Sequence, residues 1–227
     1  PKTAWPPTSM NLIKQGENQL LEAHTLNGGQ LRIGASDTIC RYYLVPYLNK
    51  FHKQFPHVHI KVTNQTSIAC ASLLEHGQVD FIVVNYPNSA LSSTHIPRVI
   101  NEFHDVFVAN RQYFPLDGRE VSLASLQKYP ILMLDRKSTT SEFLHAMFQR
   151  SHLDLVPEIE LSSNDLLIDL ARIGLGVAFV PDYCIPDNER SLFKVQIEEE
   201  LPTRQIVVAS NDSLPISQAA KQFMEML

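Results

Sequence analysis

The sequence predicts an α/β chain of two βα halves with a C-terminal return, and three observations carry that prediction. From Gln30 onward, short β-rich runs alternate with amphipathic stretches of about ten to fifteen residues, the signature of βα units and a mostly parallel sheet. The same order of strand, hydroxyl-rich turn, helix and glycine stop occurs in both halves. A length of 227 residues with 44% hydrophobic content fits one large or two small globular domains.

The elements follow in order. Ser9 is placed to cap a helix from Met10 to about His24, ended by Asn27-Gly28-Gly29; its apolar positions Ile13, Leu20 and Ala23 fall near a seven-residue seam that Gly16 interrupts. Leu31–Ala35 reads as a strand. Ser36-Asp37-Thr38 opens a helix with Leu44, Leu48, Phe51 and Phe55 on one face, and Pro56 stops it. Val58–Val62 alternates as a second strand, and Thr66-Ser67 precedes a helix bearing Ile68, Ala71, Leu73 and Leu74. Gly77 closes that helix before the buried strand Val79–Val84.

In the second half, Phe103–Ala109 and Pro130–Leu134 read as strands. Lys137-Ser138-Thr139 opens a helix from about Thr140 to His152. Glu158–Leu161 is a strand, Ser162-Ser163-Asn164 a cap, and Asp165–Ile173 a helix ended by Gly174-Leu175-Gly176 before the strand Val177–Val180. Thr203–Ala209 is a late apolar strand and Ile216–Leu227 a terminal amphipathic helix.

Composition narrows the function. The 19 basic and 24 acidic residues give a formal charge of −5, with no concentrated basic face for a nucleic-acid duplex. No apolar run approaches the roughly 18 residues needed to span a bilayer, and Pro1–Pro7 lacks the apolar core of a signal peptide, so neither a membrane nor an exported protein is expected. Cys40, Cys70 and Cys184 are odd in number and form no C-x-x-C pair, which points to a reducing, cytoplasmic setting.

Hydroxyls gather at the predicted strand-to-helix turns: Ser36 and Thr38, Thr66 and Ser67, Ser138 to Thr140, and Ser162 with Ser163. In a parallel sheet such turns lie at the carboxyl ends of strands, where ligands enter α/β folds. Each helix start also offers unpaired N–H groups and a partial positive charge of about +0.5, so a small anion can be held without many basic side chains. Ser and Thr are equally good as plain N-caps. No G-x-S-x-G or Walker A sequence occurs, and Gly174-Leu175-Gly176 precedes a strand rather than following one. His57 and His59 lack acidic or Cys neighbours and read as surface histidines. No catalytic residue, metal ligand or cofactor is therefore expected.

The order of motifs resembles the effector-binding domain of LysR-type transcriptional regulators from about Leu12 to Leu227. The marks are Gly29–Ser36 after a helix, Leu44–Phe51 closed by Phe55-Pro56, His76–Val83, and Gly174–Val180 ending in Pro181. The resemblance implies a two-lobed, periplasmic-binding-protein-like type 2 fold with two interlobe crossings and the effector in the cleft between the lobes. Residues 1–28 would be an N-terminal remnant and the end of a linker helix, 29–104 plus 206–227 lobe I, and 105–205 lobe II. Effector contacts carried over from the family fall on Ser36, Asp37, Thr38, Thr66 and Ser67 in lobe I and on Ser138, Thr139, Ser163 and Asn164 in lobe II. Asp37, between two hydroxyls, is a departure that could repel a carboxylate or bind an amino group.

The resemblance also implies partners: a small polar or anionic metabolite, a second copy of the chain, and DNA only through an N-terminal winged helix-turn-helix that this sequence lacks. The helix from about Arg41 to Phe55 offers Tyr42, Tyr43, Val45 and Tyr47 beyond its core face, so Tyr42 or Tyr43 is expected at a homodimer interface; the resemblance implies a tetramer in the full-length parent. Two other readings share the scaffold. A transport solute-binding protein would expect an export signal, and an enzyme would need reactive groups facing the cleft, for which only Asp37 and Arg136 qualify.

Overall fold

The computed structural model describes Ile13 and residues 29–227. The chain divides into two compact units: unit 1 holds the chain up to Asn101 and again Gln205–Leu227, and unit 2 holds Glu102–Arg204. The helix expected over Met10–His24 lies outside the described residues except for Ile13, which is helical and exposed.

Unit 1 begins with β1 (Gln30–Ala35). The helix α1 follows in three continuous segments: Asp37–Ile39, a π-helical turn Cys40–Leu44, and Val45–Gln54. Pro46 accounts for the wide turn. It has no N–H to give, and its ring would crowd the carbonyl four residues back, so the helix opens by one residue and the Val45 N–H donates to the Cys40 carbonyl instead. Next come β2 (His59–Asn64), α2 (Ser67–Glu75), β3 (Phe81–Tyr86) and β4 (His95–Phe103). The chain returns through β12 (Arg204–Asn211) to α6 (Gln218–Met226), capped by Ser217. The sheet order is β2-β1-β3-β12-β4, with β2, β1 and β3 parallel and β12 antiparallel to β3.

The sheet is covered on both faces. Cys70 and Leu74 of α2 pack with Ile82, Val84, Val207 and Ala209. Phe223 of α6 packs edge-on to Phe51 of α1 and stacks with Phe81 of β3, at centroid separations of 5.3 and 5.7 Å. The Val79-Asp80 element has a local reason. Asp80 accepts from the Arg32 backbone N–H at 2.8 Å and pairs with the Arg32 guanidinium at 2.5 Å, which locks the start of β3 to β1. Burial pushes the Asp80 carboxyl above its ordinary range despite Arg32.

Unit 2 comprises β5 (Asp105–Asn110), β6 (Glu120–Val121), α3 (Leu123–Leu126), β7 (Ile131–Leu134), α4 (Thr139–Arg150), β8 (Ile159–Leu161), α5 (Asn164–Arg172), β9 (Val177–Pro181), β10 (Leu192–Lys194) and β11 (Gln196–Ile197). Its main sheet has the order β10-β5-β9-β7-β8, and a small second sheet pairs β11 with β6. Here β7 is parallel to β8 and β9, whereas β5 is antiparallel to β9. Phe107, Phe179, Leu144 and Phe148 centre the core. Gly176 is required by close approach: a Cβ would lie 2.6 Å from the Pro130 carbonyl, which the Val177 N–H holds at 2.8 Å.

Two differences from the sequence reading bear on the site. The run read as one strand, Phe103–Ala109, is split at His104 between β4 and β5, and His95–Phe103 is a strand the sequence did not announce. Pro97 and the exposed middle of β4 hide its alternation.

At the end of α5, Arg172 donates from Nε to Glu189 Oε2 at 2.9 Å, and the Ser191 N–H and hydroxyl donate to Oε1 at 2.9 and 2.6 Å. Burial alone would raise the Glu189 carboxyl, but these donors together lower it from 4.5 to about 2. The native state therefore binds this proton more weakly than the unfolded chain. Its contribution is complete above pH 4.5 and is lost as the pH falls toward 2. Glu189→Gln is accordingly expected to lower stability at neutral pH and to approach the parent stability on acidification, read from urea midpoints across that range.

Candidate functional site

In unit 1, the register Ala35↔Asn64 brings the carboxyl ends of β1 and β2 side by side, so the turns carrying Ser36–Thr38 and Thr66–Ser67 are neighbours. Ser36 caps α1, its Oγ accepting from the Ile39 N–H at 3.3 Å. Thr66 caps α2, its Oγ1 accepting from the Ala69 N–H at 3.2 Å. Ser67 is buried; its Oγ accepts from the Asn85 N–H at 3.1 Å, and its carbonyl accepts from Asn88 Nδ2 at 2.7 Å. Asp37 is exposed and Thr38 half-buried. Asn64 extends the same edge, donating to Cys40 Sγ at 3.3 Å, and burial pushes the Cys40 thiol up to about 11. Cys40 is thus an uncharged wall of this edge rather than a reactive thiolate.

Unit 2 repeats the arrangement. Leu134↔Leu161 aligns the ends of β7 and β8, and the Asp135 N–H donates to the Leu161 carbonyl at 3.0 Å, so the turns carrying Ser138–Thr139 and Ser163–Asn164 are neighbours. Ser138 caps α4, accepting from the Ser141 N–H at 3.1 Å while donating to the Asp135 carbonyl at 3.0 Å. Ser163 caps α5, accepting from the Leu166 N–H at 3.3 Å. Asn164 is buried.

All four cap hydroxyls are therefore engaged as acceptors by their own helices. Capping uses the acceptor side of a hydroxyl and leaves its proton free to rotate toward another oxygen. That holds for Ser36, Thr66 and Ser163, whereas Ser138 has already given its proton to Asp135. The donors that the α4 turn has left to offer are accordingly its backbone N–H groups.

Beneath that turn lies a group the sequence reading missed. Arg204 is 1% exposed. Its Nη1 reaches Asp105 Oδ2 at 2.6 Å and Thr140 Oγ1 at 3.1 Å, and its Nη2 reaches Thr139 Oγ1 at 3.0 Å. The rings of Phe103 and Phe143 lie 5.3 and 5.1 Å from the guanidinium. Burial pushes the Asp105 carboxyl up, against the pull of Arg204. The Thr139 hydroxyl, expected to face a ligand, thus faces Arg204. The available signal was phase: Asp105 falls in step with buried Phe103, Phe107 and Ala109, where a lone carboxylate requires a partner.

Tyr42 and Tyr43 are half-buried. The Tyr43 hydroxyl donates to the Ile100 carbonyl at 3.1 Å and its ring lies 5.3 Å from Tyr47, while Arg41 sits over the Tyr42 ring. Among the described residues no three His, Cys, Asp or Glu side chains form a metal-ligand group, and no helix is long and apolar enough to cross a membrane.

The family described as LysR substrate binding domain matches residues 24–227. The chain belongs to the LysR substrate-binding domain family. A relative described as the HTH-type transcriptional regulator CysB, from Burkholderia cenocepacia, is 24% identical over 165 residues, covering 72% of this chain and 52% of that protein. The chain spans about half the length of several curated relatives it matches. The fold agrees with the sequence reading: the regulatory domain of Synechocystis PCC6803 CcmR, solved with 2-PG, superposes with a TM-score of 0.78 at 18% identity, covering 87% of this chain and 94% of the other. The effector-binding domain of QuiR, solved with shikimate, gives 0.75 at 15% identity over the same shares. This LysR domain thus has the periplasmic-binding-protein-like type 2 fold, and its relatives are transcriptional regulators.

Proposed function

We propose that this LysR domain senses a small polar or anionic metabolite at its paired strand-to-helix turns and passes the change to a DNA reader in its parent protein. The observation that carries the reading is the doubled geometry. In each unit two helix starts with hydroxyl caps stand side by side at the carboxyl ends of parallel strands. In unit 1 the contacts are Ser36, Asp37, Thr38, Thr66 and Ser67; in unit 2 they are Ser138, Thr139, Ser163 and Asn164, with Ser138 and Thr139 contributing through their backbone.

The reading has the domain bind its ligand without turning it over, in the cytoplasm, with residues 29–104 plus 206–227 and 105–205 as the two effector-binding lobes and 1–28 as the end of a linker. Its parent assembles as a dimer through the face bearing Tyr42 and Tyr43, and further as a tetramer, and meets DNA through an N-terminal reader. Two structural neighbours were solved with 2-PG and with shikimate, which sets the first probes. A thermal-shift series with 2-PG, shikimate, sulfate and related carboxylates tests the reading. A bound probe at 100 times its dissociation constant should add about 2.7 kcal/mol to stability; a series that leaves the transition unmoved counts against an anion site.

A further inference from the structure

We infer that Arg204 positions the effector-facing turn of unit 2 and relays its occupancy to the strands on which the chain enters and leaves that unit. The inference rests on the proposed role of the α4 turn. Arg204 is the last residue of unit 2, and Asp105 opens β5 shortly after the chain enters at Glu102. One buried guanidinium therefore joins both passages and, through the Thr139 and Thr140 hydroxyls, the first turn of α4.

The network has a second arrangement built into it. Arg204 holds Asp105 through a single contact, Nη1 to Oδ2, and each member of this pair keeps one buried atom without a partner, Arg204 Nε and Asp105 Oδ1. They are complementary, a donor and an acceptor of the same ion pair. Rotating the guanidinium so that Nε and Nη2 together meet the carboxylate gives the two-pronged arginine–carboxylate geometry, which is the stronger form. That rotation takes Nη2 away from Thr139. Arg204 thus divides its donors between the α4 turn and Asp105, and a ligand that draws the turn outward leaves it to close on Asp105. Such an element has two discrete packings that the site can bias, which is the physical requirement for coupling. A lysine has no planar fork and cannot make the exchange.

The test needs no ligand, so its failure and the failure of the effector reading are separable. In the 227-residue chain, Thr139→Val/Thr140→Val removes both acceptors while keeping side-chain shape. The expected result is at least tenfold slower solvent exchange of the Arg204 Nε–H, seen by nitrogen-15 NMR, with altered amide exchange at 104–106. Thr139→Ser/Thr140→Ser should behave as the parent. If the valine pair does not fold, Thr139→Val alone is read in the same way. A folded valine variant whose Arg204 Nε–H exchanges at the parental rate overturns the relay.

Discussion

Arg204→Met is expected to destabilise unit 2 by about 3–5 kcal/mol, because it removes the guanidinium that pairs with a fully buried carboxylate. Methionine fills much of the arginine stem's volume between Phe103 and Phe143, so the loss is electrostatic rather than a cavity. Asp105 cannot stay ionised without cost in that setting and takes up a proton, the direction in which burial already pushes it. The partner variant decides the cause. Arg204→Met combined with Asp105→Leu replaces both ions by apolar groups, a change that is commonly neutral or better, and should recover most of the lost stability in urea titrations followed by circular dichroism. A double variant as unstable as the single one would show that the guanidinium matters for its packing alone.

Phe223→Ala should cost unit 1 a similar amount, about 3–5 kcal/mol, by a different mechanism. Phe223 is fully buried and joins the terminal helix α6 to Phe51 of α1 and Phe81 of β3. Truncation leaves a void lined by two aromatic rings and by the sheet, which rigid secondary structure cannot collapse to fill. Phe223→Leu retains most of the volume and should cost well under half as much. Equal losses in the two variants would indicate that α6 detaches rather than tolerating a cavity. The contrast also states what α6 is for: it returns after unit 2 to close the core that β1 and α1 began.

Much of this architecture was legible in the sequence because strand, cap, helix and stop recur in order. The four capping residues, Ser36, Thr66, Ser138 and Ser163, were each readable from a hydroxyl set just before an amphipathic run, and the neighbouring placement of their turns follows from parallel pairing of β1 with β2 and β7 with β8. What was not legible depends on contacts far apart in the chain. Arg204 and Asp105 are 99 residues apart, and each alone looks like an ordinary charge near a strand end. The consequence for the site is specific: local pattern assigned the Thr139 hydroxyl to a ligand, while the distant arginine claims it. β4 escaped notice for a local reason, since a proline and an exposed middle in which apolar Ile96 and Val99 face outward erase the alternation that announces a strand.

Calorimetric titration of turn variants shows whether an anionic or polar effector is held by the paired turns. With whichever of 2-PG, shikimate or sulfate binds the parent chain, Thr66→Val removes a hydroxyl proton from the unit 1 turn and Ser163→Ala one from unit 2. Each lost charge-assisted hydrogen bond should weaken binding by about 1.5–3 kcal/mol, or at least tenfold. A paired denaturation curve separates this loss from the cap's own contribution to stability of about 1 kcal/mol. Undiminished one-to-one binding in both folded variants would place the ligand away from these turns.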